Sequence, residues 1–204
     1  GEAVSRIVSL DGEGHMLAYA AVNAYLHSSG SDRLWPFPAD RIEADGQKVG
    51  LGGPRGSVRA RIAIVAGGVD TPRLLPSLPV IRRSGQIYVT DRSPVRSLPG
   101  CLTAASYLLA KTHGAQTPAK PPVVVDPLAT GQYLVGSSRE DHGDADRVDY
   151  ATMVRLLARA TEFWPALRDR HVIRAFAGVR AAVPDGLPIF GPMPGEPRIF
   201  VATG

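Results

Sequence analysis

The sequence predicts a protein of mixed α/β and α+β class, in which an antiparallel sheet with one covering helix stands beside parts of an α/β unit. Three observations predict it. Short runs of alternating apolar residues recur between Gly, Pro and Asp-Gly turn signals. A single amphipathic stretch runs from Tyr150 to Trp164. An apolar strand ending in Ala66-Gly67-Gly68 feeds a short helical segment. With 44% hydrophobic residues in 204, the chain can bury one large core or two modest ones. It contains no run of 18 apolar residues, so no membrane span is expected. The net charge of +4 comes from scattered arginines, which excludes a nucleic-acid partner from the expectations. The single cysteine, Cys101, excludes an internal disulfide, fits a cytoplasmic setting, and reads as a small buried residue because no His-centred constellation accompanies it.

In chain order, Val4 to Leu10 suits a strand, and His15 to Ser29 a helix closed by Gly30. Pro36 and Pro38 rule out a regular central strand next. Arg41–Glu43 and Gln47–Leu51 flank Asp45-Gly46, a strong hairpin signal. A second turn, Gly52 to Gly56, leads into a strand over Ser57–Val65, with Val58, Ala60, Ile62 and Ile64 on one face. Gly50, Gly52 and Gly56 imitate a dinucleotide fingerprint, but the spacing is wrong and they lie between hairpin strands. Gly67-Gly68 lets backbone approach a ligand closely and is equally compatible with a plain turn.

Val80–Thr90 reads as a strand interrupted at Arg83–Gln86, and residues 91–121 as loop with a short strand at Tyr107–Ala110. Val123–Asp126 and Gln132–Ser138 pair as a hairpin across Ala129-Thr130-Gly131. The acidic run Glu140–Asp146 lacks the distal glutamate of a hard-cation loop and is better read as a lead into a helix, with Asp149 as N-cap. Met153, Leu156, Leu157, Ala160, Phe163 and Trp164 form that helix's core stripe, ended by Pro165.

Three strands with two tight turns close the chain. In the first, Ile173, Ala175, Ala177, Val179 and Ala181 form an apolar row, while Arg174, Phe176, Gly178 and Arg180 point the other way. Gly178 leaves a gap beside Arg180. An arginine offers a planar fork for a carboxylate, although on residues alone Arg180 reads first as an ordinary solvated strand residue. The turns fall at Pro184-Asp185-Gly186 and Pro194-Gly195.

Ala177-Gly178-Val179-Arg180, Pro184-Asp185-Gly186-Leu187-Pro188-Ile189, Gly191-Pro192 and Ala202-Thr203-Gly204 together resemble the C-terminal signature of D-amino-acid-oxidase-like flavoproteins, the glycine and sarcosine oxidase type. The resemblance implies FAD as cofactor and oxidation of the C–N bond of a small-molecule amino acid or N-alkyl amino acid by hydride transfer. It places Arg180 on the substrate carboxylate, and Ala66, Gly67, Gly68, Thr203, Gly204 and, near the adenine, Ala39 on the cofactor. Arg83 to Gln86 resembles the family's "R-G-Q" strand, whereas a tyrosine that some members direct at the substrate is replaced by Val123 to Val125. By this resemblance residues 1–75 and 177–204 belong to an FAD-binding domain and 76–176 to a substrate domain. No G-x-G-x-x-G occurs, so a fragment of a longer protein is expected, lacking the N-terminal dinucleotide motif and the C-terminal end. Partner subunits are a further implication of the resemblance. Two other readings stay open: a flavin-free interaction subunit, and an unrelated α/β binding domain.

Overall fold

A computed structural model describes residues 6–12, 14, 16–93, 98–105, 123–140 and 147–204. Residues 6–10 form no strand and are exposed, contrary to the Val4–Leu10 expectation. Extended backbone is stable as a strand only when its N–H and C=O groups find a partner, and none of the described strands pairs with these residues. Helix α1 (Ala18–Ser28) starts later than expected because Leu17, at its N-cap, is extended and supplies no capping oxygen. It closes with Gly30 at φ +63, the left-handed residue anticipated there.

The ribbon β1 (Arg41–Ala44), β2 (Val49–Gly53) and β3 (Gly56–Ala60) is antiparallel throughout. Its first turn is held by the Asp45 carboxylate, which accepts the N–H groups of Gln47 (3.0 Å) and Lys48 (2.7 Å) and pairs with Arg59. The single strand expected over Ser57–Val65 is in fact two. It breaks at Arg61-Ile62, and β4 (Ala63–Val65) leaves the ribbon to pair in parallel with the chain's last strand. The break reverses the faces: Ala63 and Val65 are buried, while Ile62 and Ile64 are exposed.

That second sheet has the order β10 (Ile189–Met193), β11 (Glu196–Thr203), β4. Ile199, Val201, Ala63 and Val65 pack with Val49 and Leu75 in one core. Arg198 ties sheet to ribbon, donating from Nε to the Gly46 carbonyl at 3.0 Å. After β4 come a 3-10 turn (Gly68–Asp70) and the one-turn helix α2 (Thr71–Leu74), as expected from the sequence.

A third, five-stranded antiparallel sheet has the order β6 (Leu102–Thr103), β7 (Val124–Pro127), β8 (Tyr133–Gly136), β5 (Ile81–Thr90), β9 (Val172–Ala182). The interruption expected at Arg83–Gln86 does not occur. Ser84, Gly85 and Gln86 pair with Val179, Gly178 and Ala177 of β9, and the polar side chains find partners on the core face. The β7–β8 hairpin forms as anticipated, and the boundary expected between 176 and 177 falls inside β9. Tyr107–Ala110 lies outside the described residues. Cys101 precedes the edge strand β6 and is exposed rather than buried, its Sγ 3.7 Å from Thr103 Oγ1.

Helix α3 (Tyr150–Phe163) covers this sheet. Leu156 and Ala160 meet Tyr88, Val125, Tyr133 and Val135 in the second core, flanked by Met153, Leu157, Phe163 and Trp164. Asp149 caps it, its Oδ2 accepting the Thr152 N–H at 2.6 Å. Hydrogen bonds from Thr152, side chain first and then backbone, hold the Asp149 carboxyl below its ordinary range. A lowered folded-state pKa stabilises above the unfolded value and ceases to as pH falls through the folded one. Asp149→Ala is therefore expected to lower Tm at neutral pH, with the difference from the parent protein shrinking in acid below the carboxylate range. Thermal melts across pH check this, and a Tm gap that persists unchanged in acid would count against it.

Candidate functional site

Two sets of residues converge around the C-terminal half of β9. The first is a glycine-lined seam where β4 and β11 end side by side. Beyond Val65 the chain passes through Ala66 and Gly67 into the 3-10 turn, with the Asp70 N–H donating to the Gly67 carbonyl at 3.0 Å. Thr203 closes the seam: its Oγ1 donates to the Gly68 carbonyl at 3.2 Å and accepts from Thr71 Oγ1 at 3.4 Å. Thr71 is fully buried. Gly204, at φ +111, fits where no side chain could, because a Cβ there would lie 2.8 Å from Val183 Cγ2 and 3.0 Å from Pro188 Cα. Ala66, Gly67, Gly68, Thr203 and Gly204 are thus brought together. Ala39 stands apart, against β2. A Cβ on Gly53 would lie 3.5 Å from Ala39 Cα, and no hydrogen bond of the seam involves Ala39.

The second set surrounds Arg180. Its neighbour across β5 is Arg83, and the guanidinium crosses β5 to the segment following β8, where Nη2 donates to Ser138 O (3.3 Å) and Ser137 Oγ (3.4 Å). Gly85 makes the crossing possible, since a Cβ there would sit 2.9 Å from Arg180 Nη2 and 2.7 Å from Ser138 O. The gap expected at Gly178 is present, with nothing within 4 Å of where a Cβ would stand. Nε and Nη1 of Arg180 have no acceptor among the described residues. The arrangement is an exposed guanidinium tethered only by long contacts of Nη2, and an anion with two coplanar oxygens would be gripped on its Nη1/Nη2 or Nε/Nη2 edge, with Nη2 shared.

The two sets are neighbours through β9. The 3-10 turn packs against β9, Val183 immediately after it touches the Gly204 position, and Arg82 of β5 faces Asp70 at 4.0 Å. Two open hollows of about 330 and 370 Å³ lie elsewhere, one on the ribbon among Arg41, Asp45, Lys48 and Arg59, the other between α3 and the start of β9. Neither hollow is lined by Arg180 or by the seam residues. Among the described residues no cluster of His, Cys, Asp and Glu could hold a metal ion, and no helix is long and apolar enough to cross a membrane. Of the acidic run only Glu140 is described.

Sequence reasoning missed Gly85, Gln86, Ser137 and Ser138. The signal was present in Arg83-Ser84-Gly85-Gln86, a glycine flanked by polar residues inside a strand, which marks a close approach by another group as readily as a break.

Residues 10–204 match the family described as FAD dependent oxidoreductase (DAO). Glycine oxidase of Pseudomonas aeruginosa is 30% identical over 187 residues, covering 89% of this chain and 45% of that protein. Hydrogen cyanide synthase subunit HcnC of Pseudomonas protegens is 31% identical over 149 residues, 73% of this chain and 30% of that protein. A subunit of the opine oxidase of Agrobacterium tumefaciens is 28% identical over 200 residues, 94% and 48% respectively. Among solved structures, glycine oxidase from Geobacillus kaustophilus superposes with a TM-score of 0.67 at 23% identity, over 82% of this chain and 42% of that one. The chain therefore spans less than half the length of each of these proteins.

Proposed function

Because the chain belongs to the FAD dependent oxidoreductase family, we propose that the complete protein oxidises the carbon–nitrogen bond of an amino acid or N-alkyl amino acid. The observation that carries this reading is the exposed Arg180 guanidinium, held among the described residues only by long contacts of Nη2, beside a seam of bare backbone. Substrate carboxylate pairs with that fork by charge-assisted hydrogen bonds, which fixes the carbon bearing the nitrogen at one distance from the sheet.

The seam suits FAD on structural grounds. Gly67, Gly68 and Gly204 present backbone without side chains, with open space beside Gly68. Ala66, Gly67, Gly68, Thr203 and Gly204 would hold the cofactor, with Ala39 contributing at the adenine end. When bound, FAD supplies the two-electron acceptor. Residues 1–75 and 177–204 then serve the cofactor and 76–176 the substrate, with Arg180 reaching the substrate from the return segment, a division supported by the two separate cores. The lone cysteine favours a cytoplasmic protein.

Family membership sets aside an unrelated α/β binding domain. A role within a larger assembly is favoured by the relatives named as subunits of hydrogen cyanide synthase and opine oxidase. The visible spectrum of the complete protein tests the proposal. We expect bound flavin, bleached anaerobically by glycine, sarcosine or another amino acid. Absence of flavin would leave the flavin-free interaction role, and bleaching only by amines without a carboxylate would remove Arg180 from its own.

A further inference from the structure

We propose that Gln86 is a positioning residue that sets the pose of Arg180 from the opposite face of β5. The inference rests on the reading of Arg180 as the carboxylate-binding group. Arg83 and Gly85 lie on the face that Arg180 crosses, whereas Ser84, Gln86 and Tyr88 lie on the core face. Gln86 is 2% exposed, yet its side-chain amide is held by three hydrogen bonds. Oε1 accepts from Tyr88 OH at 3.0 Å and from the Asp149 N–H at 2.8 Å, and Nε2 donates to Glu140 Oε1 at 3.1 Å. The Asp149 N–H can only donate, so the orientation of the amide is fixed. Burial, and after it the negative charges of Glu140 and Asp149, push the Tyr88 hydroxyl up to about 12, which keeps it a donor.

The backbone of Gln86 completes the link. Its N–H donates to Ser138 Oγ at 2.9 Å and its carbonyl accepts the Ser138 N–H at 3.3 Å. Ser84 exchanges two backbone hydrogen bonds with Glu140, at 2.8 and 3.1 Å. Residues 138–140 are thereby laid along β5 and pinned at Glu140 by the Gln86 side chain. The carbonyl that receives Arg180 Nη2 belongs to the same segment. Both contacts of Nη2 are long for N–H···O bonds, so the fork has little else to fix its direction. The same amide also reaches the N-cap residue of α3, which couples the covering helix to the fork. Loss of the amide releases the Glu140 side chain, leaves the segment held by its backbone bonds to Ser84 and Gln86, and loosens the pose of the guanidinium that leans on Ser138.

The test is a double-mutant cycle in the complete protein, reading glycolate binding by isothermal titration calorimetry. Gln86→Leu should raise the glycolate Kd about five-fold with Arg180 present and leave it unchanged in an Arg180→Leu background. An equal effect in both backgrounds, or no effect in either, overturns the proposal. Should Gln86→Leu fail to fold, Ser138→Ala, which removes only the hydroxyl held by the Gln86 N–H, is expected to weaken glycolate about two-fold in the same Arg180-dependent manner; an unchanged Kd there overturns it as well. If Arg180→Leu alone leaves glycolate binding intact, both this inference and the carboxylate role of Arg180 fall. If Arg180→Leu weakens binding and the Gln86 and Ser138 variants do not, only the positioning role falls.

Discussion

Arg180→Ala in the complete protein is expected to raise KM for carboxylated substrates about 100-fold, with a smaller change in kcat. Each hydrogen bond to a charged group contributes about 1.5–3 kcal/mol, and about 1.4 kcal/mol corresponds to a factor of ten. A two-point grip on a carboxylate at the lower end of that range therefore accounts for roughly two decades. Folding should be almost unaffected, because Arg180 is exposed and its only hydrogen-bond partners among the described residues are the two long contacts to Ser137 and Ser138. Arg180→Lys keeps the charge but loses the planar fork, so it should recover only part of the deficit. Steady-state kinetics with glycine or sarcosine against an amine lacking the carboxylate decide the matter. A KM that stays at the parental value for the carboxylated substrate takes the arginine out of substrate binding.

The largest expected loss of stability is at the centre of α3. Leu156 is 0% exposed and sits with Tyr88, Val125 and Val135 between helix and sheet. Leu156→Ala removes its packing and leaves a void in walls that are strands and cannot readily close in. Such substitutions cost about 2–5 kcal/mol, which lowers both the denaturant midpoint and Tm. Denaturant titration and thermal melts of the complete protein measure it. A loss below about 1 kcal/mol would mean that the helix is less firmly seated than its burial indicates.

Where a local rule was sufficient, the fold was legible in the sequence. Asp45-Gly46, Ala129 to Gly131 and Pro194-Gly195 each turn the chain as their chemistry requires, and the apolar stripe with the Asp149 cap placed α3 to within a residue. Illegible features depended on distant partners. Alternation runs unbroken through Arg61-Ile62, and only the pairing of Ala63–Val65 with β11 turns one strand into two. Ser84-Gly85 resembles a break until β9 and residues 138–140 lie on either side of it. The site divides the same way. Arg180 and the seam glycines stood out as residue types in suggestive places, whereas the crossing at Gly85 exists only because three segments far apart in the chain become neighbours.

The Thr71–Thr203 contact joins positions 132 residues apart. During synthesis the glycines after β4 emerge early and must wait for all of the intervening chain before their counterpart strand exists, since among the described strands no nearby segment pairs with that edge. Proteolytic cleavage just ahead of Thr203 would thus unfasten a structure whose other half lies near residue 68.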